Sequence, residues 1–220
     1  MEDTLAMKNS NRLRFFFRAD IFLMMKSLIS KNNTLNDSRK LAYLLIIATI
    51  PIVIAGLLGL DFIESNRNSI SSIAYMNLLF AGFLLFAYKY SSSSKSLIEL
   101  TIAGAIFIGI FQVFALFPGA SRSGTAMTAA LLIGLNLKDS SKFAFLLAIP
   151  TIFGALVFLI GDVVLYETQI NIISLVVGFL TSCIVAFLTI KYFLIFVEKI
   201  GMYPFVIYRI LLGVLLLALL

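Results

Sequence analysis

Apolar runs of about the length that crosses a bilayer recur along this chain, and they constrain its fold more than any other feature. In lipid, only helices and closed barrels satisfy all backbone polar groups, and a spanning helix needs about 20 apolar residues. Of the 220 residues, 61% are hydrophobic, whereas soluble domains contain roughly 45–50% apolar residues. The mean hydropathy is +1.05. We therefore predict an all-α polytopic membrane protein.

Five of the apolar runs are long enough to suggest transmembrane helices: residues 41–60, 73–88, 143–160, 172–197 and 205–220. Two further runs, residues 98–117 and 125–137, flank a polar turn. The second of them would cover only about 20 Å as a helix, short of a hydrocarbon core of about 30 Å. We therefore predict about five transmembrane helices plus a re-entrant helical hairpin with its tip at Pro118 to Gly124.

Basic residues cluster at the start of the chain, where eight of the 17 Lys and Arg residues lie within the first forty positions. By the positive-inside rule, residues 1–40 form a cytoplasmic or interfacial basic N-terminal segment, and residues 41–220 form a single transmembrane helical domain. The positive charge then orients the chain, and we expect no nucleic-acid partner. Counting the spans from this segment places the hairpin tip towards the outer side.

Histidine is absent from the sequence, and Cys183 is the single cysteine. The commonest general base and all histidine-ligated metals are thereby excluded, as is a disulfide within one chain. We predict no metal-binding residues in this chain.

The polar turn between the two short runs must interrupt a helix. Pro118 has no backbone N–H to donate, and Gly119 and Gly124 tolerate positive φ angles. A broken helix leaves backbone N–H groups without partners, and these point out of the N-terminus of the helix that follows. Such a turn favours an anion as its ligand.

Arg122 is the charged residue of this turn, and its planar guanidinium can bind a phosphate through two parallel hydrogen bonds. Snorkelling to lipid headgroups is the alternative for Arg122, but its serine and glycine neighbours favour a functional site. Ser121 or Ser123 would act as a nucleophile or would hydrogen-bond the phosphate while water attacks. The predicted catalytic residues are Arg122, Ser121 and Ser123, and the predicted phosphate-binding residues are Gly119, Gly124 and Thr125.

Three motifs together carry a family resemblance: P-G-x-S-R-S-G at residues 118–124, F-L-L-A-I-P at 145–150 and P-F-x-x-Y-R at 204–209. The first is preceded by Gly109 and Gln112 at the matching spacing. With these motifs the chain resembles the bacterial undecaprenyl-diphosphate phosphatase family, also called the bacitracin-resistance protein family. The resemblance covers roughly residue 15 to the C-terminus.

The resemblance implies hydrolysis of undecaprenyl diphosphate to undecaprenyl phosphate, which recycles the lipid carrier of cell-wall synthesis. It further implies a polyprenyl diphosphate substrate, contact with membrane lipids, a bacterial plasma-membrane location and an active site facing outwards. A divalent cation, Mg²⁺ or Ca²⁺, is implied by the resemblance alone, and a homo-oligomer is left open. Members have two inverted repeats, and the first hairpin, which carries two glutamates, has no counterpart here. We therefore expect an N-terminally truncated member.

Two alternatives to an active phosphatase remain at this point. A half-helix N-terminus aimed at an anion is also found in transporters, so a polyprenyl-phosphate carrier or flippase is one. An inactive remnant is the other. Outside the turn, we predict that Gln112 hydrogen-bonds the broken backbone, with a catalytic role as the alternative. Tyr208 and Arg209 are predicted to be interfacial anchors, with a role at the site as the alternative.

Overall fold

A computed structural model describes residues 20–29, 35–59, 63, 65, 69–92, 94–165 and 171–220, without the side chains of residues 162–165. Seven long helices fill most of these ranges: α1 (Asn36–Leu58), α2 (Ile70–Tyr90), α3 (Ile102–Gln112), α4 (Arg122–Leu132), α5 (Leu137–Leu165), α6 (Ile172–Ile200) and α7 (Tyr203–Ala218). Residues 20–29 are also helical. The earlier part of the predicted basic segment, residues 1–19, lies outside the described residues.

Four helices, α1, α2, α5 and α6, are long and apolar enough to cross a membrane. Helix α7 is apolar as well but has 16 residues. Pro51 lies inside α1 and Pro150 inside α5, as membrane helices tolerate when neighbouring groups satisfy the freed carbonyls. The predicted all-α polytopic fold is confirmed.

Helices α3 and α4 form the predicted hairpin. Each has 11 residues and is therefore about 17 Å long, too short for a hydrocarbon core of about 30 Å. A 3₁₀ turn, Val113–Leu116, extends α3 towards the tip. Helix α4 already begins at Arg122 because Ser121 caps it, so Arg122 to Gly124 form its first turn and the non-helical tip is shorter than predicted.

The two ends of the hairpin are tied together at its base. The Lys95 N–H donates to the Gly134 carbonyl at 2.9 Å, and the Asn136 N–H donates to the Lys95 carbonyl, also at 2.9 Å. The Asp139 carboxylate accepts from the Leu97 N–H at 2.9 Å. The hairpin therefore enters and leaves at the same end of the bundle.

Charged side chains gather at this same end. Lys142 pairs with Asp20 at 2.6 Å, and Lys138 pairs with Glu198 at 3.0 Å. Lys40 donates from Nζ to the Ile98 carbonyl at 2.6 Å. These contacts join the helical segment 20–29, α1, α5 and α6 to the hairpin base.

The second arm of the hairpin, α4, lies in the interior of the bundle, whereas one face of α3 is exposed. Helix α4 packs against α2, α3 and α5, helix α1 packs against α3 and α5, and α2 packs against α7. Gly109 of α3 meets the backbone of Ala48 in α1 so closely that a Cβ would collide with it. By contrast, α6 makes its main contact with α5, and its described side chains are exposed over almost the whole helix.

Candidate functional site

The hairpin tip starts with a glycine that no other residue could replace without strain. Gly119 has a φ of +94°, and a Cβ there would collide with the carbonyl oxygen of Ile73 in α2. Helix α2 therefore supports the tip by direct backbone packing. The predicted need for glycine at this position is met by both the φ angle and the close approach.

Ser121 has a φ of 68° and is the one non-glycine residue with a positive φ in the described part of the chain. Its Oγ accepts a hydrogen bond from the Gly124 N–H at 3.2 Å, and its carbonyl accepts from the Thr125 N–H at 2.9 Å. Strained backbone of this kind costs about 1–3 kcal/mol and concentrates at functional sites. The strain places the Ser121 hydroxyl as the N-cap of α4.

Two backbone donors stay available after this capping. Within the described ranges, neither the N–H of Arg122 nor that of Ser123 has an acceptor. The half-exposed Ser123 hydroxyl likewise has no partner there. Both N–H groups belong to the first turn of an 11-residue helix, where the helix dipole favours an anion.

The Arg122 side chain is exposed, and no described residue accepts a hydrogen bond from it or pairs with it. Arg122 lines a cavity between α1 and α5. An arginine at the centre of a membrane helix costs roughly 2.5–3.5 kcal/mol on insertion scales, and such residues usually serve function. Because the described protein supplies no counter-charge, an anionic ligand is the natural partner.

Gly124 and Thr125 lie deeper than Arg122. The Thr125 side chain is fully buried, and its hydroxyl donates to the Arg122 carbonyl at 2.8 Å. The Gly124 N–H is used by the Ser121 cap. In this conformation both residues build the first turn of α4, and their direct contact with a phosphate stays a prediction.

Arg209 of α7 is a site residue that sequence reasoning assigned wrongly. It is 3% exposed and therefore not an interfacial anchor. Its Nε donates to Asn77 Oδ1 at 2.8 Å, and its Nη2 donates to the carbonyls of Gly119 and Ala120 at 3.0 and 3.1 Å. Nη2 also donates to the Asn77 carbonyl at 3.2 Å. This guanidinium thus ties α2, α7 and the hairpin tip together.

The remaining nitrogen of Arg209, Nη1, is buried and has no hydrogen-bond partner among the described residues. A Cβ on Gly124 would lie 2.8 Å from it, so the glycine makes room for this nitrogen. Arg209 lies six residues beyond the start of α7, about 9 Å along the axis, which is deep for an anchor, whereas the predicted span 205–220 placed it only about 6 Å from the end.

Gln112 is buried, and its Nε2 donates to the Thr151 hydroxyl of α5 at 3.1 Å. The predicted hydrogen bond to the broken backbone is therefore wrong. The freed carbonyls of a broken helix can be satisfied elsewhere, whereas a lone amide in an apolar helix needs a polar partner on a neighbour. Gln112 joins α3 to α5 below the tip.

The donor set does not suit a cation. In the described part of the chain, no three or more Asp, Glu, His or Cys residues come together in a way that could hold a metal ion. The groups around Arg122 are N–H and hydroxyl donors, whereas Mg²⁺ and Ca²⁺ prefer carboxylate and carbonyl oxygens. These residues do not fit the divalent cation that the resemblance implies.

Comparison with known proteins confirms the resemblance. Residues 13–215 match the family of the bacitracin resistance protein BacA. Three curated relatives are named undecaprenyl-diphosphatase. The protein from Alcanivorax borkumensis is 40% identical over 92% of this chain and 77% of its own length. The protein from Saccharophagus degradans is 41% identical over 90% of this chain and 75% of its own length. The protein from Ruthia magnifica is 38% identical over 91% of this chain and 76% of its own length. The chain belongs to the bacitracin resistance protein BacA family.

Proposed function

We propose that this protein hydrolyses undecaprenyl diphosphate to undecaprenyl phosphate and phosphate. The observation that carries the proposal is Arg122, whose guanidinium lacks a protein partner in the described structure and which belongs to the same helix turn as the unpaired N–H groups of Arg122 and Ser123. Relatives about 40% identical are named for this activity. A lipid diphosphate supplies the anion that this set of donors lacks.

Cleavage of the phosphoanhydride requires a nucleophile oxygen to bond to the terminal phosphorus while the bridging P–O bond breaks. Undecaprenyl phosphate then leaves with the electron pair of that bond. Catalysis of this reaction is mainly positioning and neutralisation of charge. Arg122 would hold the terminal phosphoryl oxygens, and the α4 N-terminus would stabilise the charge that they carry. Arg209 would act indirectly, by fixing the tip backbone.

Water and serine both stand as candidates for the nucleophile. The Ser123 hydroxyl is without a partner in the described structure, whereas the Ser121 oxygen already caps α4. We expect Ser123→Ala to lower kcat by roughly 10- to 100-fold if the hydroxyl only hydrogen-bonds phosphate, and to abolish turnover if it is the nucleophile. A rapid-mix assay of the wild type separates these outcomes, because a phosphoserine intermediate would give a burst of undecaprenyl phosphate before water hydrolyses the phosphoserine to release phosphate.

We also propose that the protein lies in the bacterial plasma membrane with Arg122 towards the outer side. The support is the cluster of lysines at the opposite, hairpin-base end of the bundle: Lys40, Lys95, Lys138 and Lys142. An alkaline phosphatase fused after Leu220 should then be active, because α7 would run outwards. If a green fluorescent protein fused at the same position is fluorescent instead, the C-terminus is cytoplasmic and the proposed orientation is wrong.

The test of the activity uses the full chain purified in detergent with undecaprenyl diphosphate. We expect phosphate release by the wild type, a loss of roughly 100- to 1,000-fold in Arg122→Ala, and partial recovery in Arg122→Lys. Arg39→Ala is the control, because Arg39 lies at the other end of α1 and donates to the Ser27 carbonyl. Unchanged turnover in Arg122→Ala would exclude this site. Movement of the lipid between leaflets of reconstituted vesicles, without phosphate release, would select the carrier.

A further inference from the structure

The cavity beside Arg122 has apolar walls over most of its surface. It lies between the second halves of α1 and α5 and touches the 3₁₀ turn before the hairpin tip. Its apolar lining includes Ile52, Val53, Leu57, Leu116, Ala155 and Phe158. We call this space the tail groove.

Two of the described lining residues of the tail groove are polar, Arg122 and Thr151. The Thr151 hydroxyl donates to the Leu147 carbonyl at 2.7 Å and accepts from Gln112 at 3.1 Å, so its hydrogen bonds are made inside the protein. Arg122 is therefore the one polar residue of the described lining whose side chain has no hydrogen-bond partner within the described protein. Such a space holds water poorly, because an ordered water needs two to four polar partners.

The tail groove has a volume of about 240 Å³. An apolar protein cavity of roughly 150 Å³ holds a six-carbon benzene ring, so this volume suits about ten carbon atoms, or two prenyl units. One cation at an apolar groove of this size matches an amphiphile with an anionic head and a hydrocarbon chain. The positive charge of Arg122 would bind the anionic head group, and the apolar walls of the groove would bind the hydrocarbon chain.

We propose that the tail groove binds the first one or two prenyl units of the lipid whose diphosphate is held by Arg122. The proposal rests on the proposed function for the anionic head, and it adds the place and length of chain that the protein recognises. The rest of the polyprenyl chain would lie in the bilayer. The protein would then distinguish diphosphates by the first ten or so carbon atoms and would be insensitive to carbon atoms beyond them.

Two glycines in the wall of the groove make the proposal testable. A Cβ on Gly154 would meet Val53 at 3.6 Å, and one on Gly56 would meet Leu116 at 3.9 Å, which are ordinary contacts. A leucine at either position can therefore be accommodated at Cβ, while its remaining carbons fill the groove. Gly161 lies on the same helix as Gly154 but has no atom within 4 Å of its Cβ position, so Gly161→Leu is the matched control.

The kinetic experiment compares methyl, geranyl and farnesyl diphosphate, with 1, 10 and 15 carbon atoms, below their micelle concentrations. For the wild type we expect kcat/KM to rise at least tenfold from methyl to geranyl diphosphate and less than threefold from geranyl to farnesyl diphosphate. Gly154→Leu should lower the geranyl-to-methyl ratio about tenfold, and Gly161→Leu should keep the wild-type ratio. Equal ratios in all three proteins would overturn the groove while leaving the phosphatase intact.

A binding measurement that needs no turnover separates the groove from the proposed function. Farnesyl methylenediphosphonate should raise the unfolding temperature of the wild type and of Gly161→Leu, and should raise that of Gly154→Leu less. Gly56→Leu replaces Gly154→Leu if the latter does not elute as a folded protein in size-exclusion chromatography. A shift that persists in both groove variants would overturn the proposal. The same holds if phosphatidylglycerol added to the micelles abolishes the wild-type chain-length preference, because an ordinary membrane lipid would then occupy the groove.

Discussion

Helix α4 is buried although it is rich in small and polar residues, whereas the more apolar helix α6 is exposed. Helix α4 is rich in Gly, Ala, Thr and Ser, and its side chains from Gly124 to Leu131 are all buried. Helix α6 is far more apolar, and yet Val197 is its one buried residue within the described structure. In lipid, burial of a leucine gains little, whereas small residues allow close packing and polar groups need partners. The burial of α4 therefore follows from its small and polar residues and not from a high apolar content.

Substituting one glycine of the hairpin tip and one glycine of α6 by alanine compares how closely the two regions are packed, and here the expected difference in stability is largest. Gly119→Ala forces a Cβ against the Ile73 carbonyl at a positive φ, and we expect a loss of about 2–4 kcal/mol. Gly178 of α6 has no atom within 4 Å of its Cβ position. Gly178→Ala should therefore leave stability unchanged or raise it by up to about 1 kcal/mol. Thermal unfolding followed by size-exclusion chromatography of fusions to a fluorescent protein measures both. A Gly119→Ala protein as stable as the wild type would show that the tip does not pack on α2 as described.

A smaller difference in stability is expected between two asparagine substitutions, one in the network behind the hairpin tip and one at the start of α6. Asn77→Leu removes the Oδ1 acceptor of the buried Arg209 guanidinium, and the loss of this charge-assisted hydrogen bond should cost about 1.5–3 kcal/mol. Asn171 is the exposed N-cap of α6 and accepts from the Ser174 N–H, so Asn171→Leu should cost only about 1 kcal/mol. The same thermal unfolding measurement applies to both. Equal losses would mean that the Arg209 network does not stabilise the tip.

Two threonines provide the smallest and best-matched comparison. Thr128 in α4 and Thr181 in α6 each donate to the carbonyl four residues earlier, at 2.7 and 2.8 Å, but Thr128 is buried and Thr181 is exposed. Thr128→Val should cost about 1 kcal/mol, because the buried Gly124 carbonyl loses this hydrogen bond. Thr181→Val should change stability by less than about 0.5 kcal/mol. The same unfolding assay checks the pair, and a greater loss at Thr181 would contradict the exposed position of Thr181 on α6.

Much of the fold followed from counting residues. The second arm of the hairpin was too short to span, and the structure gives both of its helices 11 residues. The break followed from Pro118 and Gly119 because their backbone chemistry is local. The start of α4 was missed by a few residues because a serine in an unusual conformation provides the cap.

The polar network behind the tip could not be predicted in the same way. Arg209 and Asn77 are 132 positions apart, and the sequence around either residue does not indicate that the other is its partner. The same applies to Gln112 and Thr151, which are 39 positions apart. Pairing between helices depends on how the bundle packs, whereas an isolated sequence shows only that each polar group needs some partner.

The Arg122 guanidinium at the start of α4, unpaired in the described part of the chain, is the group that we propose binds a lipid diphosphate. The most direct measurement is the equilibrium dissociation constant of undecaprenyl methylenediphosphonate, which cannot be hydrolysed, for the protein in lipid nanodiscs. We predict that Arg122→Gln weakens binding by at least tenfold, because a charge-assisted pair contributes about 1.5–3 kcal/mol. A dissociation constant within twofold of the wild-type value would contradict the claim.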